Sequence, residues 1–85
     1  MTKTITVRYF ASIREAMGTG EETWATTAPT VAALRQELAG RSARAALALA
    51  EDQPVRLALN QTMCPPDAPI APGDEVAFFP PVTGG

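Results

Sequence analysis

The sequence predicts a small α+β fold, in which one mixed sheet wraps around one main helix. Apolar residues alternate with polar ones near both ends of the chain, which is typical of half-buried strands, and they recur at helical spacing in the middle. A chain of 85 residues makes a single domain that buries about 60% of its unfolded surface. With 46% hydrophobic and 19% charged residues, the composition is that of an ordinary globular domain.

The first half of the chain begins with a strand. Residues 4–9 alternate strictly between polar and apolar side chains. Ser12 and Glu15 then have the spacing of a capping box that starts a short helix, and Gly18 can end that helix in the left-handed conformation. A second short strand is expected over residues 22–26.

The main helix is expected to begin after Thr30, a good N-cap residue. Val31, Leu34 and Leu38 follow at helical spacing, and Gly40 suits a left-handed closing position.

The second half should complete the sheet. An alanine-rich second helical segment is expected over residues 42–50, followed by a strand over 55–60, a loop over 64–74 and a last strand over 75–79. The main helix supplies the long crossover that parallel pairing requires, so the first and last strands can lie side by side at the sheet centre. This is the β-grasp arrangement of ubiquitin.

The charge distribution argues against nucleic acid as a partner. The net charge is −2, and all seven basic residues precede Leu57: Lys3, Arg8, Arg14, Arg35, Arg41, Arg44 and Arg56. The last third of the chain is purely anionic, whereas binding to phosphates needs a basic stripe. A protein partner with a basic pocket fits better.

The location is expected to be cytoplasmic. A single cysteine, Cys64, excludes an internal disulfide. The first residues contain no apolar run of signal-peptide length, and no segment is expected to span a membrane.

Catalytic machinery is nearly absent from the sequence. The chain contains no histidine, which removes the commonest general base and metal ligand, and no metal site is expected. The neighbouring carboxylates of Glu21 and Glu22, and of Asp74 and Glu75, are expected to be solvated surface. Cys64 has no neighbour that would activate its thiol, so we expect it to be a small packing residue.

Aromatic residues are assigned to the core by default, with one exception on the last strand. This default covers Trp24, Phe10, Phe78 and Phe79. If Val76 and Phe78 point inward beside the first strand, however, Ala77 and Phe79 point outward. Phe79, with Phe10, would then form an exposed apolar patch that marks a partner surface.

The C-terminal tail departs from the pattern of an ordinary domain end. Pro80 and Pro81 follow the last strand, and the chain stops at Gly84 and Gly85. The prolines should stiffen an arm that has a flexible Gly-Gly tip. Because the last two residues lack side chains, a narrow active site could admit the terminal carboxylate.

Three segments together carry a resemblance to a known family. The tail, residues 73–85 with the sequence GDEVAFFPPVTGG, closely resembles the C-terminal signature of the molybdopterin synthase small subunit family, which are ubiquitin-like sulfur carriers. Residues 7–11 (VRYFA), followed by Arg14, Glu15 and Gly18, and residues 57–61 (LALNQ) agree with it. The resemblance is weakest over residues 63–70.

The resemblance implies a ubiquitin-like domain over residues 1–79 and a reactive tail over residues 80–85. In this family an adenylating enzyme similar to ubiquitin-activating enzymes uses ATP to activate the carboxylate of Gly85, and a sulfur donor protein converts it to a thiocarboxylate. The carrier holds no cofactor and supplies no catalytic side chain. Sulfur then passes, inside the synthase large subunit, to a cyclic pyranopterin monophosphate to build the dithiolene of molybdopterin.

The same resemblance implies roles for the residues near the tail and an assembly. Gly84 would give clearance, residues 79–83 (Phe79, Pro80, Pro81, Val82 and Thr83) would guide the tail into the partner, and two small subunits would join two large ones. Two alternatives stay open: a related carrier for thiamine synthesis or transfer RNA thiolation, and a non-covalent interaction module.

Overall fold

A mixed sheet of five strands and three helices build the fold in the computed structural model, which describes residues 2–81. The strands and helices, in chain order, are β1 (Lys3–Tyr9), α1 (Ala11–Met17), β2 (Glu21–Thr26), α2 (Val31–Ala39), α3 (Ala43–Leu49), β3 (Arg56–Leu59), β4 (Thr62–Met63) and β5 (Glu75–Phe79). No helix in this part of the chain is long and apolar enough to cross a membrane.

The strand order is β2-β1-β5-β3-β4, so the first and last strands meet at the sheet centre. They run parallel, with Val7 opposite Val76 and Tyr9 opposite Phe78, and the other pairs are antiparallel. The predicted α+β fold of β-grasp type, with parallel central strands, is therefore confirmed.

The core lies between the sheet and α2. Its fully buried members come from β1, α2 and β5, each at most 1% exposed: Ile5, Val7, Tyr9, Val31, Leu34, Leu38, Val76 and Phe78. The sequence pattern indicated these residues, because apolar side chains recur with period 2 on the strands and 3.6 on the helix. In α3, Leu49 is also buried, whereas Leu47 is 75% exposed.

Helix α2 begins as predicted and ends differently. The side chain of Thr30 accepts a hydrogen bond from the backbone N–H of Ala33. Gly40, however, is right-handed (φ −78°, ψ −2°), so the predicted left-handed closing position is wrong. Its N–H bonds to the carbonyl oxygens of Gln36 and Glu37, a tightened last turn that leads within three residues into α3.

Helix α1 ends as predicted and begins differently. Gly18 is left-handed, with φ at 80°. The predicted capping box is wrong, because Phe10 occupies the N-cap position and Ser12 lies inside the helix. The N–H of Phe10 still donates to the carbonyl of Phe78, so the chain stays paired with β5 up to the N-cap position. Because the helix starts directly after Phe10, Ser12 lies too late in the chain to cap it.

A short hairpin between β3 and β4 was not predicted. Asn60 and Gln61 both have positive φ angles, 51° and 67°, and form a two-residue turn of the kind that suits the twist of paired strands. The sequence signal was weak because glutamine stands where such turns usually have glycine.

Candidate interaction site at the base of the C-terminal tail

Strand β5 delivers the tail from the centre of the sheet. It is held on one side by β1 and on the other by β3, and it ends at Phe79. Pro80 and Pro81 follow, and proline cannot donate the next hydrogen bond of the ladder. Val82, Thr83, Gly84 and Gly85, to which the sequence assigns the guiding and reacting roles, lie outside the described residues, so those roles stay predictions.

Phe10 and Phe79 come together beside this exit point. Their ring centroids are 6.1 Å apart and their planes meet at 89°, the edge-to-face geometry that aromatic pairs favour. Phe10 is 39% exposed and Phe79 is half-buried, whereas Phe78 is fully buried. The outward orientation predicted for Phe79 is confirmed, and the default assignment of Phe10 to the core is wrong.

The two phenylalanines belong to the face of the sheet that points away from the helices, which we call the outer face. One row across it is given by the strand register: Arg8, Ala77, Ala58 and Met63 lie opposite one another in turn. Ala77 and Ala58 are only 8% and 7% exposed, yet neither belongs to the core cluster under the helices. Because these side chains are short, the outer face is lower here than at the larger neighbouring side chains.

Met63 and two arginines also lie on the outer face, and none of them was predicted to belong to a site. Met63 is 54% exposed, which is unusual for so large an apolar side chain. The guanidinium of Arg8 lies 5.2 Å from the ring centroid of Phe10. Arg56 is exposed and lies directly opposite Phe79 in the β3–β5 ladder. The two-residue turn before Met63 would have been the signal for its orientation.

A concave apolar surface borders the tail on its other side. This groove of about 490 Å³ is lined by residues of α1, α3 and the loop before β3, with both prolines: Ser12, Ile13, Ala16, Arg44, Leu47, Ala48, Gln53, Pro54, Val55, Pro80 and Pro81. Pro80 and Pro81 therefore pass along a groove on their way out of the sheet.

Cys64 has the environment of a packing residue. Its side chain is half-buried against the core, and burial raises the pKa of its thiol above the usual value. A reactive cysteine needs the opposite shift. The structure thus agrees with the expectation of a packing residue; that the thiol is not activated stays a prediction. Within residues 2–81, no group of three or more His, Cys, Asp and Glu side chains is arranged to hold a metal ion.

The neighbouring carboxylates have structural partners. Glu22 accepts hydrogen bonds from the hydroxyl of Tyr9, at 2.7 Å, and from Arg41. Arg41 also lies over the ring of Trp24, 4.5 Å from its centroid. The expectation that Glu22 is solvated surface is wrong, because it joins β2 to the turn after α2.

The second carboxylate pair includes another ordered side chain. Asp74 accepts hydrogen bonds from the side-chain amide of Asn60 and from the backbone N–H of Ala71. It therefore holds the entry to β5 against the β3–β4 turn.

The remaining aromatic residue predicted in the core, Trp24, is only half-buried. It packs against the core cluster from the sheet edge, and its indole N–H donates to Glu37 at 2.8 Å.

Known proteins match this sequence over nearly the whole chain. The ThiS family model matches residues 7–85. The molybdopterin synthase sulfur carrier subunit of Escherichia coli is 54% identical over 81 residues, which are 95% of this chain and 99% of that protein.

Solved structures match as well. The Haloferax volcanii HVO 2177 protein superposes with a TM-score of 0.83 at 30% identity, covering 99% of this chain and 88% of that one. Subunit 1 in the complex of subunits 1 and 2 of the Helicobacter pylori molybdopterin-converting factor gives a TM-score of 0.61 at 27% identity, covering 96% and 99% of the two chains. The chain belongs to the ThiS family, and it is similar over 95% of its length to a molybdopterin synthase sulfur carrier subunit.

Proposed function

We propose that this chain is the sulfur carrier subunit of a molybdopterin synthase and that Gly85 carries the sulfur as a thiocarboxylate. The observation that carries the proposal is the position of β5: the central strand of the sheet passes directly into the residues PPVTGG, beside an exposed aromatic pair. Identity of 54% over 95% of the chain to a sulfur carrier of this kind supports it.

The chemistry takes place on the terminal carboxylate. A carboxylate oxygen of Gly85 attacks the α-phosphorus of ATP in an activating enzyme similar to ubiquitin-activating enzymes, and pyrophosphate leaves. The resulting acyl adenylate has a good leaving group, so sulfur from a donor protein displaces AMP. Sulfide gives the thiocarboxylate directly; a donor persulfide gives an acyl disulfide, and a second thiol then cleaves its S–S bond, forming a disulfide with the donor and releasing the thiocarboxylate. ATP is a co-substrate of that enzyme, and the carrier itself binds no cofactor.

Delivery occurs in the synthase large subunit, which supplies the catalytic residues. The thiocarboxylate sulfur bonds to a side-chain carbon of the cyclic pyranopterin monophosphate as a carbon–oxygen bond at that carbon breaks, which gives a thioester. Water then cleaves the thioester, so the sulfur stays on the pterin and the carrier leaves with its carboxylate restored. Since a dithiolene contains two sulfurs, each product molecule consumes two loaded carriers. Gly84 leaves clearance around the reacting carbonyl.

The tail residues 80–83 guide the tail, while Phe10 and Phe79 anchor the domain on the partner. A complex of subunits 1 and 2 has been solved for the Helicobacter pylori converting factor, and we infer the same pairing here. Two small and two large subunits in a cytoplasmic assembly complete the proposal.

A second candidate is a carrier for thiamine synthesis or transfer RNA thiolation, which membership of the ThiS family favours. Its chemistry on Gly85 would be identical up to the thiocarboxylate, and only the receiving partner differs. Copurification with a synthase large subunit supports the first candidate, and copurification with a thiazole synthase supports the second. Absence of any ATP-dependent adenylation would instead leave a non-covalent interaction module.

The test is intact-protein mass spectrometry after incubation with ATP, the activating enzyme and a sulfur source. We expect a mass gain equal to the exchange of one oxygen for sulfur, and fragmentation should localise it to Gly85. Two controls act on the tail alone: deletion of Gly85, and addition of one residue after it. Both should abolish sulfur delivery, because the reactive carbonyl is displaced from a site whose geometry tolerates little error. Normal delivery by the untrimmed extended chain would reject the mechanism.

A further inference from the structure

Two arginines lie next to the aromatic pair on the outer face, one, Arg8, near the Phe10 ring and one, Arg56, opposite Phe79 in the strand register. They are far apart in the sequence, and only the sheet brings them together, on either side of β5. The anionic last third of the chain is therefore bordered in space by two cations.

The charges of these arginines are incompletely satisfied. The Nε atom of Arg8 is buried and makes no hydrogen bond; the nearest carboxylate oxygen, from Glu21, is 3.4 Å away. The Glu21 side chain is itself 62% exposed, so this contact is weak. For the exposed Arg56, no carboxylate within residues 2–81 comes within ion-pair distance.

On the outer face, the carboxylate of Glu21 lies beside Arg8, and that of Glu75 lies at the opposite end. Glu75 faces Thr6, two residues before Ala77 on β5, and Asp74 is engaged by Asn60 and Ala71. The end of the face nearest the tail thus carries the two rings, two arginines and one exposed carboxylate, and the opposite end carries Glu75. This uneven distribution of charge favours one orientation of a partner.

We propose, on the basis of the proposed function above, that Arg8 and Arg56 are specificity residues for the synthase large subunit, each pairing with a carboxylate at the rim of an apolar slot that receives Phe10, Phe79 and Met63. Since Phe79 leads directly to Pro80, a partner that takes up the tail also covers this face. The contact between Arg8 and Phe10 holds the guanidinium in place before the partner arrives, which favours a paired carboxylate. Mismatched charges would exclude large subunits of other carriers.

A partner carrying phosphates fits this face less well than a protein. The chain has a net charge of −2, and the two arginines are separated by apolar side chains rather than joined in a basic stripe. A protein slot with an apolar floor and acidic rim satisfies both the rings and the guanidinium groups.

The test is binding of the full-length chain to its purified cognate large subunit. The charge-reversal variants are Arg8→Glu and Arg56→Glu, with Arg14→Glu as a control of equal net charge in the last turn of α1. Each outer-face reversal should raise Kd about tenfold or more at low salt, mainly through a slower association rate, and the loss should shrink at high salt. Arg14→Glu should change Kd less than about threefold.

Three further variants distinguish lost charge from misfolding and from competition by Glu21. Arg8→Gln and Arg56→Gln retain most of the side-chain stem and should give intermediate losses, which guards against misfolding of the reversals. Glu21→Gln releases Arg8 from its competing carboxylate and should tighten binding about twofold. Wild-type chain that fails to bind the large subunit would reject the proposed function. Wild-type binding together with unchanged Kd in both reversals would overturn only the inference about the arginines.

Discussion

The two faces of the sheet use the same strand for different purposes. On the inner face of β5, Val76 and Phe78 are fully buried under the helices. On the outer face, Ala77 is covered only by neighbours on the sheet, and Phe79 stays half-buried against the exposed Phe10. Alternate side chains of one five-residue strand thus face a completed core and an incomplete surface.

The difference shows how a small domain can present a binding surface beside its C-terminal tail without losing stability. A domain of this size has few kcal/mol to lose, so its binding residues should not also be its core. Because side chains alternate along β5, the strand can be anchored by one set and can offer the other to a partner. Variants on the two faces should therefore separate stability from binding.

Phe78→Ala should have the largest effect on stability. The side chain is fully buried and stacks beside Tyr9, with ring centroids 6.3 Å apart. Truncating a buried phenylalanine costs about 3–5 kcal/mol of unfolding free energy, which approaches the whole stability of a small domain. Chemical denaturation should show a large drop in the midpoint, or a chain that is unfolded in buffer. A loss below about 1 kcal/mol would show that β5 is not anchored through its inner face.

Phe79→Ala, one residue further along, is the matched variant on the outer face. We expect a stability loss of about 1–2 kcal/mol, since the side chain is half-buried in an edge-to-face pair. Binding to the large subunit or the activating enzyme should weaken tenfold or more, as for an aromatic anchor. Calorimetry should measure the loss of binding, and thermal melting of the same preparation should measure the loss of stability. A large stability loss with unchanged binding would place Phe79 in the core.

The features that the sequence predicted well are those carried by local periodicity. The alternation over residues 4–9 and the spacing of Val31, Leu34 and Leu38 predicted the core, because burial on one face is what creates those patterns. The N-cap at Thr30 and the left-handed Gly18 are likewise local. Each depends on residues only a few positions apart.

The features that the sequence did not reveal depend on register between distant strands. The start of α1 is set by the bond from Phe10 to Phe78, which no local capping rule contains. The burial of Ala77 depends on its neighbours across the sheet, and Arg56 reaches the tail only through the β3–β5 pairing. The order of charges along the sequence therefore indicated an anionic last third, although Arg8 and Arg56 lie beside it in the folded sheet.

Tyr9→Phe tests a contact on the inner face between the central strand β1 and the edge strand β2, with a smaller expected effect. The hydroxyl donates to Glu22 at 2.7 Å, and its loss should cost about 1 kcal/mol at neutral pH. Burial, and next the hydrogen bond to Glu22, raise the pKa of Tyr9 well above its ordinary value.

The same variant has a pH signature. The unfolded chain releases the Tyr9 proton above about pH 10, while the folded chain retains it, so the unfolding free energy falls with rising pH by up to about 1.4 kcal/mol per pH unit. This contribution is fully present below pH 10 and is lost above it. Denaturation midpoints between neutral and alkaline pH should show a shallower alkaline decline in Tyr9→Phe than in wild type. Equal declines would mean that Tyr9 does not hold its proton.

Cys64→Ser should have the smallest effect on stability and on sulfur transfer. It tests a residue that packs against the core. The thiol packs against the core, away from any described group that would lower its pKa, and burial raises that pKa. A chain that carries sulfur on Gly85 has no need of this thiol. Starting from preformed thiocarboxylate, sulfur transfer by the serine variant should match wild type, with a stability change within about 1 kcal/mol. The wild-type thiol should react slowly with alkylating reagents at neutral pH, because little thiolate is present. If a folded Cys64→Ser chain lost transfer completely, the sulfur would have to pass through the side chain, and the terminal carboxylate would no longer be the sole carrier.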